Sequence, residues 1–265
     1  MTFQPVVPTG GIVGWRFLQR TYDAQLQSFS NSPINERETE YFLTNIGNVR
    51  SAEDLVADRR LLQIALGAFG LEDDLNNRFF IQKILSDGTQ AEDALANRLA
   101  DKRYRDFAKA FGLGPGEIPK TSLVSAMEKI AEDNLTARFE ISVGESDETM
   151  RIALFTQHAL REIAQQGGSE NRKWFDLMGL PPLRNMMETA LGLPRSFAQL
   201  DLDKQLEVFK DRLHRATGSS DLAQFTDIEA VEKLTDTYLT RSQIAQIQSV
   251  TSPAQTALIL LGGGF

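Results

Sequence analysis

Asp58-Arg-Arg-Leu-Leu-Gln-Ile-Ala-Leu-Gly-Ala-Phe-Gly-Leu71 decides the fold class. Leu62, Ala65, Leu66 and Phe69 recur at i, i+3, i+4 and i+7, with Asp58, Arg59, Arg60 and Gln63 on the other side. That spacing describes a helix with one buried face. The helix then stops on Gly70-Leu71. Glycine enters the left-handed region without a Cβ clash, and a leucine after it can pack back onto the last turn. The phrase Ala68-Phe-Gly-Leu71 has counterparts in Ala110-Phe-Gly-Leu113 and Ala190-Leu-Gly-Leu193. Gly70, Gly112 and Gly192 are therefore read as structural C-caps. Tyr104, Phe107, Ala108 and Phe111 repeat the apolar spacing before the second phrase, and Leu183, Met187, Ala190 and Leu191 before the third.

Working outward, Thr89 with Glu92 and Thr226 with Glu229 have the spacing of capping boxes, and Ser51 ahead of Glu53 and Asp54 is a weaker version. The only strand-like alternation, Phe139-Glu-Ile-Ser-Val143, has no partner segment, and a sheet needs more than one. It is assigned to helix or loop. Met127-Glu-Lys-Ile-Ala-Glu-Asp-Asn-Leu-Thr136 matches Val231-Glu-Lys-Leu-Thr-Asp-Thr-Tyr-Leu-Thr240 at an offset of 104 residues. The expected fold is thus all-α: a helical bundle-like body of many short helices, built from two diverged pseudo-repeats.

The expected division is an N-terminal arm and amphipathic helix over 1–45, a first helical repeat with its connecting helix over 46–171, a second repeat over 172–250 and an apolar tail over 251–265. A polar glycine-containing hinge, Ala164 to Asn171, separates the repeats, after a helix over about 148–164. Trp15, Leu18, Tyr22, Leu26 and Phe29 form a stripe in the first segment. Trp15, Leu18 and Tyr22, with Leu258, Ile259, Leu260 and Leu261 in the tail, are candidate partner contacts. The competing reading packs them onto the chain's own body.

Composition excludes whole classes of chemistry. The 265 residues include no cysteine and two histidines, His158 and His214, which removes Cys-based zinc, Fe–S clusters, disulfides, cysteine nucleophiles and His-rich metal sites. The net charge of −8 offers nucleic acid no general attraction. The densest basic stretch, Arg98, Lys102, Arg103, Arg105 and Lys109, is interrupted by Asp101 and Asp106 and reads as a solvated face. No window has the length of a membrane span, and Met1 to Ile12 lacks the pattern of a Sec signal peptide.

Motifs that can carry chemistry have simpler structural readings. Gly112-Leu-Gly-Pro-Gly116 follows a helix rather than a strand and lacks the Gly-Lys-Ser/Thr ending of a phosphate loop. Asp201-Leu-Asp203 and Glu72-Asp73-Asp74 lack the ligand spacing of a calcium loop and suit helix starts. His158 with Glu162 one turn on has no nucleophile motif, and His214, between Arg212 and Arg215, suits a helix C-terminus. Met186, Met187, Trp174 and Phe175 read as core. No catalytic, cofactor-binding or metal-ligating residue is expected, and no cofactor.

Several phrases together are more specific than any one motif: Gly14-Trp15-Arg-Phe-Leu-Gln-Arg-Thr21, Asp58 to Glu72, Asn97 to Tyr104 leading to Ala110-Phe-Gly, Phe139-Glu140 with Val143-Gly144-Glu145, and Leu180-Pro-Pro-Leu-Arg184 leading to Thr189-Ala-Leu-Gly-Leu-Pro194. On these the chain resembles a duplicated, all-helical alphaproteobacterial family of unknown function, often encoded beside flagellar basal-body and rod genes. The resemblance runs from about residue 12 to 260 and carries no established catalytic or binding residues. It implies a non-catalytic structural or interaction protein of the flagellum with a flagellar protein partner. Such a protein would be cytoplasmic or exported through the flagellar route to the basal body. An export chaperone or regulator is the second reading, and a carboxylate-based hydrolase the third.

Overall fold

The computed structural model describes residues 3–250. Among them are thirteen α-helices, short 3-10 turns and no strand, so the chain is all-α. The helices are α1 (Gly11–Ser30), α2 (Pro33–Asn45), α3 (Ala52–Ala57), α4 (Arg59–Gly67), α5 (Arg78–Asp87), α6 (Leu95–Arg98), α7 (Arg103–Phe111), α8 (Val124–Ser146), α9 (Glu148–Gln165), α10 (Glu170–Met178), α11 (Pro181–Ala190), α12 (Leu202–Thr217) and α13 (Ile228–Val250). Phe139 to Val143 lie within α8. The paired stretches beginning at Met127 and Val231 lie near the starts of α8 and α13, both of 23 residues.

The chain forms two compact units. One comprises the chain up to Val6 with Thr21–Val143; the other comprises Val7–Arg20 and the chain from Gly144 onward. The boundaries fall inside α1 and α8. The polar stretch after Ala164 connects α9 to α10 within the second unit, which differs from the division expected at residue 171. The reason lies in packing: α9 contacts α11 and α13, so it belongs with the helices that follow it.

In the first unit the stripes of α4 and α7 supply the core. Leu62, Ala65, Leu66, Phe107 and Phe111 are almost wholly buried, together with Phe42, Leu55, Ile81 and Ile84. Phe107 sits between Phe69 and Phe111, with ring centroids 5.5 and 5.2 Å away. In the second unit Trp174 stacks on Phe209 at 5.6 Å, and Phe197 meets Phe209 edge-on at 4.7 Å. Trp174 Nε1 donates to the Ser220 carbonyl at 3.2 Å, so the buried indole keeps its hydrogen bond. Full burial of a side chain of this size stabilises by roughly 1.5–3 kcal/mol.

The three glycine stops form as the repeated phrase predicts. Gly70, Gly112 and Gly192 have φ of 64°, 61° and 65°. Around Gly70, Leu71 N donates to Leu66 O at 3.0 Å and Gly70 N to Gly67 O at 3.2 Å. Around Gly192, Leu193 N donates to Glu188 O at 2.8 Å and Gly192 N to Thr189 O at 3.1 Å. These are Schellman closures, whereas Gly112 makes the simpler bond from its own N–H to Ala108 O at 2.9 Å. Leu71, the leucine following the first stop, is 2% exposed.

The helix starts differ from expectation. Thr89 starts no helix: its N–H and its hydroxyl both donate to Glu117 Oε1, each at 2.7 Å, across the tight approach of Gly88 and Gly114. At Thr226 the hydroxyl donates to Ala223 O, and the cap moves one residue on, where Asp227 Oδ1 accepts from Glu229 N at 3.1 Å. The full capping box is the one that looked weaker. Ser51 Oγ accepts from Asp54 N at 3.2 Å while Asp54 Oδ2 accepts from Ser51 N at 2.9 Å.

Two corrections concern the first segment. Trp15 and Leu18 are fully buried within the chain, so neither presents an open surface to a partner. Both lie on the inward stripe of α1. Tyr22 is half-buried, with its ring edge-on to Phe139 at 5.4 Å. Leu258, Ile259, Leu260 and Leu261, like the rest of the 251–265 tail, lie outside the described residues.

Gly112→Ala is expected to destabilise by about 1–2 kcal/mol for a Cβ in the left-handed conformation, and by more because that Cβ would also collide with the Ile118 backbone carbonyl, read as a lower urea midpoint. Burial pushes the phenols of Tyr22, Tyr104 and Tyr238 up to about 12, and the Asp58 hydrogen bond raises Tyr41. A raised folded pKa contributes stability below the ordinary value near 10, which is lost as pH rises towards the folded value. Alkaline titration should therefore show phenolate absorbance appearing together with loss of helical circular dichroism, and not as a separate earlier step.

Candidate functional site

Three arginines of the second unit line one surface hollow. α12 starts where Asp201 Oδ1 accepts from Lys204 N at 2.9 Å, and stops at Gly218, φ 86°, whose N–H reaches His214 O at 2.8 Å. Between these ends Leu206, Phe209 and Leu213 point inward, leaving Arg212 and Arg215 exposed. α11 carries Leu183, Met186, Met187 and Ala190 into the core and is followed by its cap residue Leu191, just before the turn at Gly192. α13 buries Val231, Leu234, Tyr238 and Leu239, and presents Arg241, exposed, two residues on.

The hollow so formed has a volume of about 180 Å³ and is lined by Ala190, Leu191, Arg212, Arg215, Ala216 and Arg241. Its apolar part comes from two alanines and a leucine, and its charged part from three guanidinium groups. Arg215 is already engaged, with Nη2 3.0 Å from Asp211 Oδ1. Among the described residues, Arg212 and Arg241 have no hydrogen-bond or ion-pair partner. Like charges brought to one hollow repel one another, and a bound anion offsets that repulsion. Gly192 also bears on the site. A Cβ there would collide with Arg241 Nη1, so the glycine serves the helix stop and leaves room for the guanidinium.

Of the residues singled out from sequence, Gly192 borders the hollow and His214 lies exposed between Arg212 and Arg215 on α12, while the others are placed elsewhere. His158 is exposed, with its ring edge-on to Phe155 at 5.2 Å, and Glu162 is exposed on the following turn. Gly112 to Gly116 form the helix stop and a turn. Asp74, in the 3-10 turn Glu72–Asn76, accepts from the Tyr104 hydroxyl at 2.5 Å. Within the basic stretch, Arg103 donates to Asp101 and to the Gly70 carbonyl, bracing a helix end. Met186, Met187 and Trp174 are buried, as expected for core residues. Among the described residues no group of three or more His, Asp or Glu is placed to hold a metal ion.

In the sequence Arg212 and Arg215 stand out only as the neighbours of His214 near a helix end, and Arg241 does not stand out at all. The only trace in the sequence is the i, i+3 arginine pair; that Arg241 joins it depends on how α13 packs against α11.

Gly192→Ala is expected to lower stability by about 1–2 kcal/mol for the left-handed φ alone, because the new methyl meets only the far end of the exposed, flexible Arg241 side chain, which can swing aside. In an Arg241→Ala background the cost should stay nearly the same. A double-mutant cycle from urea unfolding measures the difference.

No curated protein matches the chain. A crystal structure of a protein from Agrobacterium tumefaciens, a structural-genomics target, matches with a TM-score of 0.73. The two are 24% identical, and the match covers 91% of this chain and 99% of that one, a likeness that speaks for the fold. Residues 68–258 match the model of a family described as protein of unknown function (DUF1217), so the chain belongs to that family.

Proposed function

We propose that this member of the DUF1217 family is a non-catalytic structural or interaction protein of the bacterial flagellum, an accessory or assembly factor of the basal body and rod. The flagellar setting is supported by the sequence resemblance, through the phrases from Gly14 to Thr21, Asp58 to Glu72 and Leu180 to Pro194. The protein works by engaging a protein partner.

The non-catalytic half of the reading is carried by how the carboxylates are used. Asp54, Asp58, Asp147, Asp201 and Asp221 accept from backbone N–H groups at helix starts. Burial pushes the Asp58 carboxyl up, but the Tyr41 hydroxyl and the N–H groups of Leu61 and Arg60 outweigh it and hold the group below the ordinary range. At Asp101 burial is likewise overcome, by hydrogen bonds from Arg103, and at Asp54 the N–H of Arg50 leads the lowering. A general acid at neutral pH needs the opposite displacement.

A clean deletion in a flagellated host is expected to abolish or impair swimming and to leave basal bodies with incomplete rods, counted by electron microscopy. Normal swimming with normal basal bodies would overturn the flagellar reading. Fractionation of the wild type places the protein: recovery outside the inner membrane that depends on the flagellar export apparatus marks an exported component. Retention inside in every background marks the export-chaperone role instead.

A further inference from the structure

We propose that the N-terminal arm, residues 3–10, is a strap that opens and closes on α1 as one piece, turning on Gly10-Gly11 and latched by the Gln25 carboxamide. The proposal stands on the geometry of the arm and is independent of the flagellar reading.

Gln25 is a buried polar side chain, 7% exposed, and both of its polar atoms go to holding the arm. Its Oε1 accepts from Val6 N at 2.6 Å, while Nε2 donates to Val6 O at 3.2 Å and to the Thr21 hydroxyl at 2.7 Å. An amide that bonds both the N–H and the C=O of one residue copies the pairing of a neighbouring strand. It holds backbone and not side chain, and Val6 itself is 52% exposed. Nearer the turn the arm meets a gap in α1. Gly11, at φ 68°, reverses the chain, and a Cβ on Gly14 would collide with the Thr9 carbonyl. Gly14, Leu18, Thr21 and Gln25 follow i, i+4, i+7 and i+11, which is one line along a helix. The arm touches both ends of that line, and Pro5, beside the latch, is buried.

Opening as a unit follows from how little else holds the arm. Among the described residues, residues 3–8 are hydrogen-bonded to the rest of the chain through Val6 alone, and Gln4, Pro8, Thr9 and Gly10 are exposed. Segments with few buried contacts open locally at far less cost than the whole fold. α1 is held on its own account: Trp15 is wholly buried, and the Phe29 ring lies 5.7 Å from that of Phe139. What the open strap uncovers is a face that suits extended backbone, with a notch at Gly14 and a carboxamide at Gln25.

Amide hydrogen exchange of the full chain, followed residue by residue by NMR, tests this. In the wild type the Val6 amide is expected to exchange more slowly than in a free peptide of the arm sequence, and faster than the interior amides of α1. Gln25→Leu keeps the bulk and removes both bonds to Val6, so exchange at Val6 should rise about tenfold or more, with the α1 amides unchanged. Gly14→Ala acts at the opposite end. Alanine is the better helix residue, but its methyl lifts Thr9, and a strap that moves as one piece then exchanges faster at Val6 too.

Unchanged exchange at Val6 in Gln25→Leu would overturn the latch, and unchanged exchange at Val6 in Gly14→Ala would overturn the single moving piece. A rise in the α1 amides equal to that at Val6 would also overturn the proposal, since the arm would then open only with the core. None of these outcomes bears on the deletion phenotype, so the strap and the flagellar assignment fail separately.

Discussion

The left-handed glycine turn that closes a helix, with the next residue's N–H reaching back five residues, is the constraint on which the rest depends. A chain of many short helices has many ends, and every end leaves backbone groups without intrahelical partners. α4, α7, α10 and α11 have only nine or ten residues each. Helices this short are marginal alone, so they persist through packing and through ends that are satisfied. The Schellman closures at Gly70 and Gly192 do both, returning N–H groups to open carbonyls and turning the chain so that the following segment leaves at a set angle. The Lys173 ammonium serves the same need at the end of α9, donating to Ala164 O at 3.0 Å from a side chain that is nearly buried.

Helix ends were legible in the sequence where one residue decides them, and illegible where two compete. Gly70, Gly112 and Gly192 each carry a positive φ because no other residue adopts one at so little cost. The stripes in α4 and α7 were legible for a similar reason, since their period is local. Thr89 was misread because its hydroxyl had a stronger offer from Glu117, 28 residues away, which no local pattern contains. The box at Ser51 was underrated because Asp54, rather than the more common glutamate or glutamine, closes it. The unit boundary was misplaced on similar grounds. Glycines and polar residues after Ala164 mark a turn between helices, while membership of a unit is decided by which faces bury together.

The candidate site was scarcely legible. Arg212 and Arg215 lie one turn apart on α12, but they flank His214 near a helix end, where cations have an ordinary explanation through the dipole. What distinguishes the hollow is Arg241, contributed by another helix, and the space beside it that the lack of a side chain at Gly192 provides. Two constraints thus meet at one glycine. The helix stop uses its φ, and the end of the Arg241 side chain occupies the place of its missing Cβ. Only the first can be read from a phrase such as Ala-Leu-Gly-Leu.

That coincidence bears on how function is distributed along the chain. Gly70 has the same backbone conformation and the same closure as Gly192, and an arginine likewise approaches it: Arg103 Nη1 lies 3.3 Å from where its Cβ would be. Yet Arg103 is spent there, held by Asp101 and by the Gly70 carbonyl, so the end of α4 is braced and closed. At Gly192 the arriving arginine has no carboxylate among the described residues, and two more arginines stand beside it. The same local device, a glycine stop met by a guanidinium, yields a structural brace in one unit and an uncompensated cationic hollow in the other. Among the described residues the difference is one counter-ion, Asp101, which braces Arg103 in the first unit and has no counterpart beside Arg241 in the second.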